Sequence, residues 1–173
     1  FAVLLGDEIT LPDRPEDNVI QNLSLRYYEK EASAVWVLLV EKNETHKYGI
    51  VDLGKDNHSH LKDGGQVYGV VEKPNSSQAP SLWALPGRYV FSADLFKYLE
   101  NIKPGYNGEI QLSDAMNLLA QKNKLYAYSL SPRRFDAGDK LGYLIANIEL
   151  GLQHPDIKEG LANYLKNKIN QRG

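Results

Sequence analysis

Three short stretches place carboxylates, and in one case a lysine, where an apolar run gives way to a loop, the position at which open α/β sheets hold ligands. Leu5-Gly6-Asp7 closes the run Phe1 to Leu5, so Asp7 stands just past a strand's carboxyl end. There it can hold a hard cation, or serve as a turn or helix-capping aspartate. Glu72-Lys73-Pro74 ends another strand-like run. Strand alternation sends adjacent side chains to opposite faces unless the backbone bends, and the proline and polar loop that follow favour a bend. Lys73 offers a compact charge to a phosphate and Glu72 accepts hydrogen bonds from sugar hydroxyls. Equally, the two read as a solvated strand end.

Arg133-Arg134-Phe135-Asp136-Ala137-Gly138-Asp139-Lys140 reads as a strand end running into a helix that starts near Lys140. Asp139 suits a cap; Asp136 is either a second cap or a second metal ligand. In Gly108-Glu109-Ile110-Gln111-Leu112-Ser113-Asp114, the two carboxylates complement a helix's first turn. His58-Ser59-His60 sits in a polar loop short of further ligands, and His46 and His154 suggest no role. The sequence contains no Gly-rich loop with lysine of the P-loop type, no G-x-G-x-x-G, no G-x-S-x-G and no H-E-x-x-H. Those chemistries therefore have no footing in it.

Elements able to position these residues follow from periodicity. Phe1 to Leu5 is continuously apolar and predicts a buried strand. Val19, Ile20, Leu23 and Tyr27 recur at helical spacing over Glu16 to Lys30, with Pro15 suited to a first turn. Ser33 to Val40, rich in Val, Leu and Trp, predicts a second buried strand, and strand-helix-strand implies a parallel pair joined by a crossover. Short strands are predicted at Tyr48 to Leu53, Gln66 to Glu72 and Arg88 to Phe91, which favours a mixed sheet. Leu112, Ala115, Met116 and Leu119 mark a helix, Leu125 to Leu130 alternates like a strand, and Leu141, Leu144, Ile145, Ile148 and Leu152 form another helical stripe. Beyond Pro155, Ile157, Leu161, Tyr164, Leu165 and Ile169 define a last amphipathic helix, a surface for the core or for self-association into a homo-oligomer.

Composition narrows the partners. With 20 basic and 22 acidic residues the net charge is -2, without a long run of either sign, so no nucleic-acid surface is indicated. There is no cysteine and hence no disulfide or thiolate metal site. The longest apolar stretch, Ala34 to Val40, is too short for a bilayer span, and a cytoplasmic location is the expectation.

Taken in order, Phe1-Ala2-Val3-Leu4-Leu5-Gly6-Asp7, Tyr48-Gly49-Ile50-Val51-Asp52, Val71-Glu72-Lys73-Pro74, Ala79-Pro80-Ser81, Gly87-Arg88-Tyr89, Gly108-Glu109-Ile110-Gln111-Leu112 and Arg134-Phe135-Asp136-Ala137-Gly138-Asp139-Lys140 resemble the bacterial UTP-glucose-1-phosphate uridylyltransferases. The resemblance covers nearly the whole chain. It implies a Rossmann-like α/β nucleotidyltransferase fold with a mixed, mainly parallel sheet flanked by helices. Residues 1–153 would be the C-terminal portion of the catalytic domain and residues 154–173 an amphipathic helix. It also implies transfer of a uridylyl group from UTP to glucose 1-phosphate, giving UDP-glucose and pyrophosphate, with Mg²⁺. Residue by residue, Asp7 and Asp136 would ligate the metal, Lys73 would bind the sugar phosphate, and Glu72 and the Gly49 backbone would hold glucose hydroxyls, with Gly87 and Tyr89 at the sugar site. The family's Gly-rich pyrophosphate loop would precede the strand at Phe1, so the chain is expected to be N-terminally truncated, part of a longer protein, and not catalytic alone. Glu8 and the pair Leu82-Trp83, read as loop, depart from the pattern. Alternatives are another sugar-1-phosphate nucleotidyltransferase and a non-catalytic UDP-sugar-binding homologue.

Overall fold

The computed structural model describes residues 1–55, 61–104 and 108–171. In chain order the elements are β1 (Ala2–Leu4), β2 (Glu8–Leu11), α1 (Val19–Lys30), β3 (Ser33–Leu39), β4 (Gly49–Asp52), β5 (Gly65–Gln66), β6 (Gly69–Glu72) and β7 (Trp83–Leu85). They continue as β8 (Arg88–Val90), α2 (Asp94–Leu99), α3 (Leu112–Gln121), β9 (Leu125–Ser129), β10 (Arg133–Asp136), α4 (Lys140–Gln153) and α5 (Lys158–Asn170). The chain divides into two compact units: Phe1–Leu5 with Pro12–Pro132, and Gly6–Leu11 with Arg133–Gly173.

The first unit is built on an eight-stranded sheet ordered β1-β8-β3-β7-β4-β6, with β9 alongside β3 and β5 on β9. β3 explains why the sheet needs helices on both sides. Its residues alternate between two apolar clusters: Val35 and Val37 join Val51, Met116 and Leu119, while Ala34 and Trp36 join Val19 and Leu23 of α1. A strand buried on both faces reads as a continuous apolar run, as this one does. α1 starts where the Asn18 side chain accepts from the Gln21 amide at 3.0 Å, and ends at Glu31 with a left-handed φ of 49°. The buried Trp36 indole donates to the Leu130 carbonyl at 3.0 Å, so its burial leaves no orphan donor.

The mixed α/β sheet flanked by helices agrees with the sequence-based expectation, but it is not mainly parallel. Among the described residues, β3 and β9 form the parallel pairing of this sheet, and the others are antiparallel. The connections account for this. β9 arrives after the crossover through α3, whereas β4 and β6 return on one another with no helix between them among the described residues, which produces antiparallel neighbours. β1 and β3 do run the same way, but β8 lies between them and is antiparallel to both, so they are not a hydrogen-bonded pair. The sequence also predicted β1 as a buried strand. It closes the sheet's strand order at one end, with Leu4 56% and Leu5 41% exposed; an apolar run does not reveal how many neighbours it will have.

The second unit pairs β2 with β10, in the register Leu11↔Arg133, Thr10↔Arg134, Ile9↔Phe135 and Glu8↔Asp136. α4 follows β10, capped by the Asp139 side chain, which accepts from the Gly142 amide at 2.9 Å. α5 buries none of its residues completely, and Tyr164 and Ile169 on it are exposed. Among the described residues no helix is long and apolar enough to cross a membrane.

Candidate active site

In the first unit the antiparallel register sets Gly49, the first residue of β4, directly opposite Glu72, the last of β6. The Glu72 carboxylate folds back over it: a Cβ on Gly49 would lie 3.3 Å from Glu72 Oε2 and 3.4 Å from Leu85 Cδ1. Glycine at this position therefore leaves its backbone beneath a carboxylate, two kinds of hydrogen-bonding group that polyhydroxyl ligands use.

Immediately afterwards the strand geometry stops. Lys73 has φ +44°, in the left-handed region, and its amide donates to the Tyr48 carbonyl at 3.1 Å. The bend anticipated from the proline and loop is present. Pro74 is buried behind it, and its carbonyl accepts from the wholly buried Thr45 hydroxyl at 3.4 Å. A β-carbon in the left-handed region costs energy that glycine avoids. Lys73→Gly is expected to raise stability by about 0.5–1 kcal/mol, visible as a higher urea midpoint, while removing the ammonium group. An unchanged or lower midpoint would mean that the turn carries no such strain.

Gly87 stands at the junction between β7 and β8, and β7 reaches Gly49 through the pair Gly49↔Leu85. Its φ of +114° and its approach to Leu5, whose Cγ and Cδ1 would lie 2.8 Å from a Cβ on Gly87, both demand glycine. Its carbonyl accepts from the Leu5 amide at 3.0 Å. Tyr89 is 4% exposed and its ring packs 5.4 Å from that of Phe91. The fold thus brings Gly49, Glu72 and Lys73 together at adjoining strand ends and puts Gly87 two residues from a neighbour of Gly49, while Tyr89 lies in the core. Trp83, expected in a loop, is a buried residue of β7 paired with Leu39.

Arg88 was not singled out from the sequence. It is 6% exposed, and its guanidinium donates to the Leu5 carbonyl at 3.0 Å and the Gly87 carbonyl at 3.2 Å. It thereby ties the end of β1, two residues before Asp7 in the chain, to the Gly87 bend. An arginine immediately after a glycine, in a run otherwise apolar, was the available signal.

In the second unit the β2–β10 register carries Asp7 to Asp136. The Asp7 carbonyl accepts from the Ala137 amide at 2.7 Å, just beyond the Glu8↔Asp136 pair. Both carboxylates border Gly138: a Cβ there would be 3.2 Å from Asp7 Oδ2 and 3.3 Å from Asp136 Oδ1. Asp136 Oδ1 accepts from the Gly138 amide at 3.1 Å, so it closes a turn and does not cap α4. Asp139 supplies the cap. Behind the pair, Arg134 Nε donates to both Glu8 oxygens at 2.9 and 3.0 Å, and its NH2 group lies 3.4 Å from Asp136 Oδ2. Glu8 is thus a buried counter-charge to Arg134.

Among the described residues no group of three or more His, Cys, Asp or Glu side chains forms a metal centre. Asp114 lies in the first turn of α3, and Glu109 is exposed, accepting from the Gln111 side chain at 3.4 Å. His58-Ser59-His60 lies outside the described residues.

The family model for nucleotidyl transferases matches residues 2–150. The chain belongs to the nucleotidyl transferase family. It is 36% identical over 172 residues to the UTP-glucose-1-phosphate uridylyltransferase of Bacillus subtilis (strain 168), covering 99% of this chain and 56% of that protein. A UTP-bound UDP-glucose pyrophosphorylase from Acinetobacter baumannii superimposes with a TM-score of 0.79 at 34% identity, over 95% of this chain and 55% of that one. A UDP-glucose pyrophosphorylase complexed with UDP-glucose gives 0.79 at 32% identity, over 89% of this nucleotidyl transferase chain and 56% of that one. The chain spans little more than half the length of the relatives it matches.

Proposed function

We propose that this chain is the part of a UTP-glucose-1-phosphate uridylyltransferase that binds the sugar phosphate and carries the metal ligands. The observation that supports this most is the Gly49–Glu72 register leading straight into the left-handed Lys73, with a glutamate and a lysine in succession at the end of β6. In this reading Glu72 and the Gly49 backbone hold glucose hydroxyls and Lys73 binds the phosphate of glucose 1-phosphate. Gly87 acts through its backbone at the sugar site, and Tyr89, buried two residues further on, packs in the core against Phe91. Residues 1–153 are the catalytic-domain portion and residues 154–173 an appended segment that contains α5.

The reaction that fits is attack by a phosphate oxygen of glucose 1-phosphate on the α-phosphorus of UTP. The new oxygen–phosphorus bond forms as the bond to the bridging oxygen breaks, its electron pair leaves with pyrophosphate, and UDP-glucose results. A phosphate monoester oxygen is already anionic, so no residue has to remove a proton from it. What these residues must do is align the sugar phosphate and offset its charge, which Lys73 does.

Asp7 and Asp136 would hold Mg²⁺. The donor set fits: two carboxylates around a residue without a side chain suit an ion that usually takes one or two protein carboxylates and completes its shell with water and phosphate oxygens. When bound, the ion supplies Lewis-acid stabilisation of the transferring phosphoryl group. Gly138→Ala is expected to weaken divalent-ion binding about ten-fold, read with Mn²⁺ by electron paramagnetic resonance, because its methyl must displace one carboxylate. Unaltered Mn²⁺ affinity in a folded Gly138→Ala protein would remove the pair from consideration as ligands.

The test of the function is titration calorimetry of UDP-glucose into the chain, with and without Mg²⁺, alongside Lys73→Ala. Loss of a hydrogen bond to a charged group predicts affinity about 10–100-fold weaker in the variant. Absence of binding by the folded chain, or binding that Lys73→Ala leaves unchanged, would overturn the proposal.

A further inference from the structure

Among the described residues β6 ends the sheet's strand order, and no further strand bonds the outward-facing peptide groups of Gly69–Glu72. At one residue both outward groups are nevertheless bonded. The Val70 amide donates to Asn117 Oδ1 at 2.6 Å and the Val70 carbonyl accepts from Asn117 Nδ2 at 2.9 Å. A primary amide offers the donor and acceptor of a peptide group side by side, so Asn117, projecting from α3, stands in for one residue of a missing neighbour strand.

The position of this clamp matters. β6 is four residues long and ends in Glu72, and Val70 lies two residues before Glu72 and three before Lys73. On its inner edge β6 is fixed to β4 through Gly49↔Glu72 and through the Lys73 amide on the Tyr48 carbonyl. The outer edge of so short a strand is free to fray without a partner, because few backbone bonds resist it. α3, which carries Met116 and Leu119 in the apolar core, gives Asn117 a rigid mount.

We infer that Asn117 is a positioning residue for Glu72 and Lys73, holding β6 at the height that sets the left-handed turn; the functional half of this inference rests on the reading of Glu72 and Lys73 above. The residue touches no ligand and acts through Val70. Asn117→Leu keeps the bulk and loses both hydrogen bonds. Asn117→Asp keeps the acceptor for the Val70 amide but turns an oxygen toward the Val70 carbonyl, so it restores part of the clamp.

The experiment is amide hydrogen exchange resolved by residue, combined with UDP-glucose titration, on the full chain and both variants. Loss of two hydrogen bonds predicts that the Lys73 amide exchanges at least about ten-fold faster in Asn117→Leu, less so in Asn117→Asp, with Val37 and Ala127 in the central strands unchanged. UDP-glucose affinity should fall in the same order. Faster exchange confined to Val70 would reduce Asn117 to an edge cap and overturn the inference, as would faster exchange at Lys73 with unchanged affinity. If the unsubstituted chain binds no UDP-glucose, the functional proposal fails, while Lys73 exchange still decides whether Asn117 sets the turn. Should Asn117→Leu unfold, Asn117→Asp supplies the same comparison.

Discussion

Arg134→Met is expected to lower the unfolding free energy by about 3–5 kcal/mol, the range for leaving one partner of a buried ion pair without its counter-charge. The Glu8 side chain is 3% exposed and receives Arg134 Nε on both oxygens, while Arg134 itself is 23% exposed. Methionine keeps the aliphatic stem and removes the charge, so a carboxylate remains buried beside an apolar side chain. The double variant Glu8→Leu with Arg134→Met should recover most of the loss, since exchanging a whole buried pair for apolar residues is commonly neutral. Urea unfolding followed by circular dichroism measures all three proteins. A single-variant loss below about 1 kcal/mol, the value of an exposed pair, would show that water screens Glu8 after all.

Gly87→Ala should be nearly as damaging, by about 2–4 kcal/mol, from two separable causes. The φ of +114° is one that a residue with a β-carbon rarely adopts, and the new methyl would meet the Leu5 side chain at 2.8 Å. Repeating the substitution in a Leu5→Gly background separates them, because the Leu5 β-carbon by itself would stand 2.9 Å from the new methyl. The steric part should vanish and the backbone part, about 1–3 kcal/mol, should remain. If the cost is the same in both backgrounds, contact with Leu5 plays no part; if it disappears, the backbone is unstrained.

Much of the first unit was legible in the sequence because its signals are local. Ser33 to Val40 reads as a strand buried on both faces, and β3 is one. The stripe Leu112, Ala115, Met116 and Leu119 is the buried side of α3, and Pro74 did forecast the bend at Lys73. Asp139 was rightly read as a cap. What escaped notice depends on partners far along the chain. Glu8–Leu11 has no periodicity long enough to announce a strand, and it becomes one only by pairing with Arg133–Asp136. The pair Leu82-Trp83 was read as loop, yet Trp83 begins β7, and Pro86-Gly87 interrupts a path along β3 that β8 resumes on the same edge. Parallel or antiparallel direction was misjudged for the same reason: apolar runs identify strands without identifying their neighbours.

Among the candidate residues of each unit, sequence reasoning found residue types and missed their supports. Glu72, Lys73, Asp7 and Asp136 stand out as charged groups at strand ends. Arg88 and Asn117 do their work on backbone carbonyls and amides, and nothing in the spacing of side chains along a chain reveals which peptide groups will lack a strand beside them. Gly138 was visible only as part of a motif; its meaning lies in the two carboxylates that surround it.

The pairing of β2 with β10 also fixes an order of events during synthesis. Glu8 and Arg134 are 126 positions apart. At translation speeds of 5–20 residues per second, roughly 6–25 s separate the emergence of one strand from that of the other. Through that interval Gly6–Leu11 is without β10, and Glu8 is without Arg134. The second unit cannot form as its leading strand leaves the ribosome; it must wait until the ribosome has made nearly everything between.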